Sequence, residues 1–161
     1  MIQLTQTENI SQITDFLYVG SKVRRENYQA LEAVQPELVI SMIGGSAHSK
    51  LKRHDRIIFL TLRSIDSFFT PIRMRKLLQG VRVAMPVINR GGKVLVYCVQ
   101  GKRRSVTMAA AILIARGYTA KQASELIKEK RQVADPTRWY VKWRISRFEK
   151  VYNRRQTQHV Q

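Results

Sequence analysis

Apolar positions along the chain fall into two patterns. Short, nearly continuous apolar runs occur at 16–19, 38–43, 56–62 and 93–97, each bounded by Gly, Ser or a polar loop. Runs of this length predict strands buried on both faces, as in a parallel sheet. Between them the spacing changes to the helical three and four. Residues 24–34 place Tyr28, Leu31 and Val34 on one face and stop at Pro36. A helix is predicted from Pro71 to about residue 88, with Pro86 kinking or ending it. Another follows over 105–116, closed by Gly117. Thr119 and Gln122 form a capping box for the next helix. Asp135-Pro136 opens a last helix, with Trp139, Trp143, Phe148 and Val151 as core candidates. Residues 46–55 carry no clear pattern, 1–11 are expected as a polar arm and 153–161 as a polar tail. Strands alternating with helices predict an α/β domain, a central, mostly parallel sheet flanked by helices, over about 12–152.

The chain has 161 residues and 44% hydrophobic content, enough for one domain with a sizeable core. Its longest apolar run, 106–115, is too short to cross a bilayer. The first residues lack the pattern of a signal peptide, so a cytoplasmic location is expected. The formal net charge is +18. Such a field attracts anions: nucleic acid, acidic membrane, polyphosphates and acidic proteins all fit, as does a merely solvated basic surface. Between Ser67 and Ser124 there is no Asp or Glu, so Asp66 stands at the edge of an acid-free stretch. His48, His54 and His159 have no metal-ligand spacing and are expected at the surface, so no metal or other cofactor is anticipated.

Cys98 is the sole cysteine, either a small buried hydrophobe or a reactive thiolate. Its surroundings favour the second. It ends a predicted strand and is followed by Val99-Gln100-Gly101-Lys102-Arg103-Arg104-Ser105 at the start of a predicted helix. Ligands of open α/β sheets bind beyond the carboxyl ends of the strands. A tight loop entering a helix aims backbone N–H groups at an anion, and the helix dipole adds positive potential. Gly101 lets the backbone turn, and the Arg104 fork can reach back to two phosphate oxygens. The same field favours a thiolate at the base of the loop.

This segment resembles the Cys-x5-Arg phosphate loop of the cysteine-based protein tyrosine phosphatases, with Gly101 and Ser105 also in place. The wider chain resembles the dual-specificity subfamily over about residues 11–152. The stretch 13–21 is similar to that family's opening strand, and 135–139 to its turn into the last helix. The resemblance implies Cys98 as nucleophile, Arg104 as phosphate clamp, Ser105 as the hydroxyl that helps release the sulfur, and Asp66, 32 positions before Cys98, as general acid. The N–H groups of Val99, Gln100, Gly101, Lys102, Arg103 and Arg104 would bind the phosphate. Asp66 has a second reading as a turn cap. Its basic surroundings favour the charged form, so an acidic optimum is expected. The family histidine before the nucleophile is Tyr97 here, which either donates to the loop or packs.

Substrate stays open at this level. A protein tyrosine or dual-specificity phosphatase acting on a phosphorylated protein comes first. Lys102 and Arg103 are more cations than one phosphomonoester needs. The Gly101-Lys102-Arg103-Arg104 order resembles loops of lipid phosphatases and of plant and fungal atypical dual-specificity phosphatases acting on inositol pyrophosphates. A phosphatase for phosphoinositides, inositol polyphosphates or RNA 5′ phosphates is therefore the alternative, unless both side chains face solvent. A silent phosphate- or polyanion-binding module is the third reading. Phe68-Phe69 and Trp139-Tyr140 are expected in the core or pocket wall; Lys142, Arg144, Arg147 and Lys150 of the basic last helix could contact a membrane or RNA, with a solvated face the first expectation. Oligomeric state is not encoded in any pattern found.

Overall fold

The computed structural model describes residues 9–22, 24, 28–44 and 56–160. Its strands are β1 (Ile10–Gln12), β2 (Leu17–Gly20), β3 (Leu38–Ser41), β4 (Ile58–Thr61) and β5 (Val94–Tyr97). Its helices are α1 (Tyr28–Val34), α2 (Met74–Asn89), α3 (Arg104–Ala115), α4 (Ala120–Lys130) and α5 (Trp139–Gln158). One sheet runs β1-β2-β5-β3-β4, parallel except for β1, which pairs antiparallel with β2. This is the predicted α/β architecture.

Alternation along the central strands divides the interior. Leu17, Val19, Leu38, Ile40, Val94, Val96 and Cys98 face the larger core beneath α2, α3, α4 and α5. Tyr18, Val39, Leu95 and Tyr97 face the smaller one, closed by Leu31 and Val34 of α1. A strand apolar on both faces reads as an unbroken apolar run, which is why β2, β3 and β5 were visible in the sequence. In α3 every residue from Ser105 to Ile114 is buried, because α2, α4, α5 and the sheet surround it. Gly117 takes φ 102° just past its end, and the Thr119–Gln122 capping box forms as expected.

Several boundaries differ from the sequence expectations. Arg24 lies outside α1, which is helical from Tyr28; residues 25–27 lie outside the described residues, as do 46–55. The run 56–62 contributes β4, an edge strand with exposed Ile58 and Thr61 rather than one buried on both faces. Pro71 precedes α2 by three residues, and α2 passes through Pro86 to Asn89. Pro86 and Arg82, whose carbonyl loses its helical donor there, both lie on the exposed side, where solvent can serve that carbonyl. Ile10 and Ser11 are buried in β1, although the arm was expected to reach residue 11. Asp135-Pro136 forms a turn, and α5 starts only at Trp139 and runs on through Gln158, into the expected tail. The inward face of α5 carries Val141, Arg144, Ile145 and Phe148, whereas Trp139 and Trp143 are exposed. No helix among the described residues is long and apolar enough to cross a membrane.

Phe148 is fully buried in the larger core. Phe148→Ala should cost about 3–5 kcal/mol in urea unfolding, the range for emptying a core aromatic site. Trp139→Ala, at an exposed position, should cost less than about 1 kcal/mol. Equal losses would contradict this placement of α5.

Candidate active site

Cys98 sits just past β5, with its N–H donating to the Gly20 carbonyl at 3.3 Å. Beyond it the chain folds into a loop that enters α3 at Arg104. The carbonyls of this loop are all engaged from outside. Val99 O accepts from Lys22 N at 3.1 Å, and Lys102 O from Asp135 N at 2.8 Å. Gln100 O and Gly101 O accept from the Arg131 guanidinium at 3.3 and 2.8 Å. Arg103 O accepts from Thr107 N, inside α3. In a trans peptide unit the carbonyl and the next N–H point in opposite directions. Outward carbonyls at 99–103 therefore turn the N–H groups of Gln100 to Arg104 inward. One of them, Gly101 N–H, reaches Cys98 Sγ at 3.2 Å.

Gly101 adopts φ 63°, and a Cβ there would lie 2.4 Å from an Arg131 nitrogen and 2.7 Å from Gly20 O. The position admits no side chain. Ser105 is completely buried, its Oγ 3.2 Å from Cys98 Sγ. Arg104 donates from Nη1 to Ser64 O at 2.8 Å, and its buried Nε has no partner among the described residues. A buried, unpaired guanidinium N–H at the mouth of a ring of inward N–H groups is suited to an anion.

Asp66 reaches the rim from the loop after β4. Its Oδ1 accepts from Tyr140 Oη at 3.1 Å and its Oδ2 lies 3.3 Å from Arg103 Nη1. Arg103 also donates through Nε to Asp135 Oδ2 at 3.3 Å. It thus ties the Asp66 loop, the phosphate loop and the turn before α5 together, and is not free in solvent. Burial works to lower its proton affinity, but Tyr140, Asp135 and Asp66 outweigh it and raise it. Tyr140 is raised by burial and by its bond to Asp66. Lys102 is half-buried.

Arg131 was missed in the sequence. Buried to 3% exposure, it also donates to Ser11 Oγ at 3.0 Å. Burial lowers its proton affinity, and the neighbouring Cys98 partly restores it. It lies in a run of charges that suggests a solvated face, yet it continues the inward row of Ala123 and Ile127 at steps of four. That register is the signal that could have found it. Arg144 is another departure: it is buried under Trp143, not on a solvated face. Phe68, Phe69 and Trp139 stand exposed at the rim rather than in the core. Among the described residues no group of three potential metal ligands occurs; His159 is exposed, and His48 and His54 lie outside them.

This geometry meets the sequence on a common pattern. Residues 17–150 match the dual specificity phosphatase catalytic domain. The chain belongs to the dual-specificity phosphatase family. It is 31% identical over 134 residues to dual specificity protein phosphatase 1 of Arabidopsis thaliana, a match covering 82% of this chain and 65% of that one, so the chain spans about two thirds of that relative's length. Human DUSP28 superposes with a TM-score of 0.77 at 18% identity, covering 92% of this chain and 98% of that structure. PTPMT1, solved in complex with PI(5)P, gives 0.77 at 21% identity, covering 91% and 98%.

Where this chain departs from its family, at Tyr97, the side chain points away from the loop. It is fully buried in the smaller core, on the α1 side of the sheet. Burial raises the phenol's proton affinity, opposed by a hydrogen bond with Ser41. Of the two sequence readings, packing is the one realised.

Gly101→Ala should fold, yet lose about 10²-fold in kcat/KM on a small aryl phosphate, because the loop must shift to clear Arg131 and Gly20. Arg131→Ala, which strands two loop carbonyls and Ser11, should lower both kcat/KM and the unfolding free energy, the latter by about 1–3 kcal/mol. Wild-type rates in either variant would contradict the outward-carbonyl account.

Proposed function

We propose that this protein hydrolyses phosphomonoesters through a phosphocysteine intermediate, acting as a protein tyrosine or dual-specificity phosphatase. The observation that carries the reading is the convergence on Cys98 Sγ of the Gly101 N–H, the Ser105 hydroxyl and a ring of inward N–H groups ending at Arg104. These donors support a thiolate in the free enzyme and phosphate oxygens in the complex.

The Cys98 thiolate attacks phosphorus, and the bond from phosphorus to the leaving oxygen breaks. The N–H groups of the loop and the Arg104 fork hold the equatorial oxygens through the transition state. Asp66 gives its proton to the leaving oxygen, then takes one from the water that attacks the phosphocysteine. As the sulfur–phosphorus bond breaks, Ser105 donates to the departing thiolate. Tyr140 and Arg103 fix the Asp66 carboxyl at the rim by both oxygens; both bonds are accepted by the carboxylate, so one gives way when Asp66 carries the proton it donates. A cytoplasmic location accords with this chemistry, since reducing compartments keep a lone thiol available.

The engagement of Arg103 with two carboxylates supports a single phosphate in the pocket rather than a polyphosphate clamped by Lys102 and Arg103 together. Phosphotyrosine and other protein phosphomonoesters are thus the first substrate class. Phosphoinositides are the second, supported by the fold shared with PTPMT1, whose structure holds PI(5)P.

Comparing kcat/KM for a phosphotyrosine peptide and a soluble phosphatidylinositol trisphosphate at mildly acid pH should favour the peptide, with Cys98→Ser inactive on both. Asp66→Asn should lower kcat by about 10²–10⁴-fold. Turnover by Cys98→Ser would remove the phosphocysteine route; an unchanged rate in Asp66→Asn would remove Asp66.

A further inference from the structure

The large apolar side chains that remain exposed are not spread evenly. Ile65, Phe68 and Phe69 project from the Asp66 loop, with Phe69 at 81% and Ile65 at 65% exposure. Val99 projects from the phosphate loop, and Trp139 and Trp143 from successive turns on one face of α5. Among the described residues only Ile58, Val133 and Val160 of this class lie outside these three segments. The segments are joined at the site: Arg103 bridges Asp66 to the phosphate loop, Tyr140 bridges Asp66 to α5, and Phe68 meets Trp139 at 6.0 Å between ring centroids. An apolar fringe therefore surrounds the mouth of the pocket.

The same segments carry exposed cations: Arg63 and Arg73 beside the Asp66 loop, Arg138, Lys142 and Arg147 along α5. Of the acids in or beside these segments, Asp66 and Asp135 are engaged by Arg103, and Glu149 of α5 accepts from the Ala120 N–H. Protruding Phe, Trp and Ile among Arg and Lys is the composition of surfaces that seat in the headgroup region of an anionic bilayer. Aliphatic Ile65 and Val99 cannot stack on bases as a nucleic-acid platform requires.

We propose that the active-site face docks on the surface of an anionic lipid bilayer, with the Phe69 loop and the Trp139 turn inserted among headgroups and the surrounding cations held by acidic lipid. The pocket mouth then faces the membrane, and substrates carried at that surface, whether lipid headgroups or membrane-attached phosphoproteins, are presented to Cys98. Docking does not depend on turnover, so it can be read in an inactive protein.

Trp139 and Trp143 are the chain's only tryptophans, and both lie on this face. Cys98→Ser protein is mixed with vesicles of phosphatidylcholine alone or with added phosphatidylserine. Tryptophan emission should shift to the blue, and the protein should sediment, only with the anionic vesicles, less so as salt rises. Phe69→Ser in that background keeps both tryptophans and should weaken binding at least about tenfold. In the otherwise wild-type chain, Phe69→Ser should leave kcat/KM on a soluble aryl phosphate unchanged. Trp139→Ser should weaken sedimentation similarly. Absence of an emission shift would overturn the proposal, as would vesicle binding indifferent to both substitutions, which would mean charge attraction alone. Preferential binding of single-stranded RNA, without a blue shift, would overturn it in favour of a nucleic-acid surface.

Discussion

A peptide unit cannot point its carbonyl and its N–H the same way, and the site rests on that constraint. Between Val99 and Arg103 five successive carbonyls find donors outside the loop, from Lys22, Arg131, Asp135 and Thr107. Thr107 belongs to the first turn of α3, but Lys22 follows β2 and Arg131 and Asp135 lie between α4 and α5, so the ring of inward N–H groups depends on segments distant in sequence. No loop of seven residues would hold so many N–H dipoles side by side unaided, since they repel one another until an anion arrives. Arg131 supplies two of the outer bonds from a buried position. It offsets its own desolvation with three partners and the neighbouring sulfur.

Arg103 solves a second problem. The chain is strongly basic, and the stretch carrying the phosphate loop has no acid of its own. Left alone, a cation beside Arg104 would compete for the substrate phosphate or repel its neighbour. Pairing with Asp66 and Asp135 removes it from that role and fixes both carboxylates at the rim. One side chain thereby couples the Asp66 loop to the turn before α5. The ion pairs are partly exposed, so their value is positional more than energetic.

What was legible in the sequence follows from how locally each feature is specified. The strands of the buried sheet are apolar on both faces and declare themselves as runs; β4, on an edge, gave the same run but is half-exposed. The loop between β5 and α3 was legible because Cys98, Gly101, Arg104 and Ser105 are neighbours in sequence as well as in space. Arg131 and Tyr140 were not recognised as loop and Asp66 partners, because their roles depend on helices packing residues from distant segments against one another. The polar residues 153–158 suggested a tail because a helix whose outer turns face solvent needs no apolar stripe. Trp139 and Trp143 misled for the opposite reason: aromatic size argues for burial, but the approach of Phe68 to Trp139 and of Arg144 and Arg147 to Trp143 leaves both indoles exposed.

Tyr97 shows how the two-sided sheet isolates the chemistry from its flank. Residues 97 and 98 are consecutive, yet the pleat sends them to opposite faces, Cys98 to the helix-rich core and Tyr97 beneath α1 beside Ser41. A side chain there acts on the nucleophile only through the backbone it shares with it. Its bulk fills the smaller core with Leu31, Val39 and Leu95, and its hydroxyl is directed to the sheet rather than to the loop. On the other side of the loop the Ser105 hydroxyl and the Gly101 N–H meet the sulfur, and Arg131 holds the carbonyls behind them. Tyrosine in place of histidine is therefore compatible with an intact phosphate loop, provided that outer scaffold is complete, as it is here.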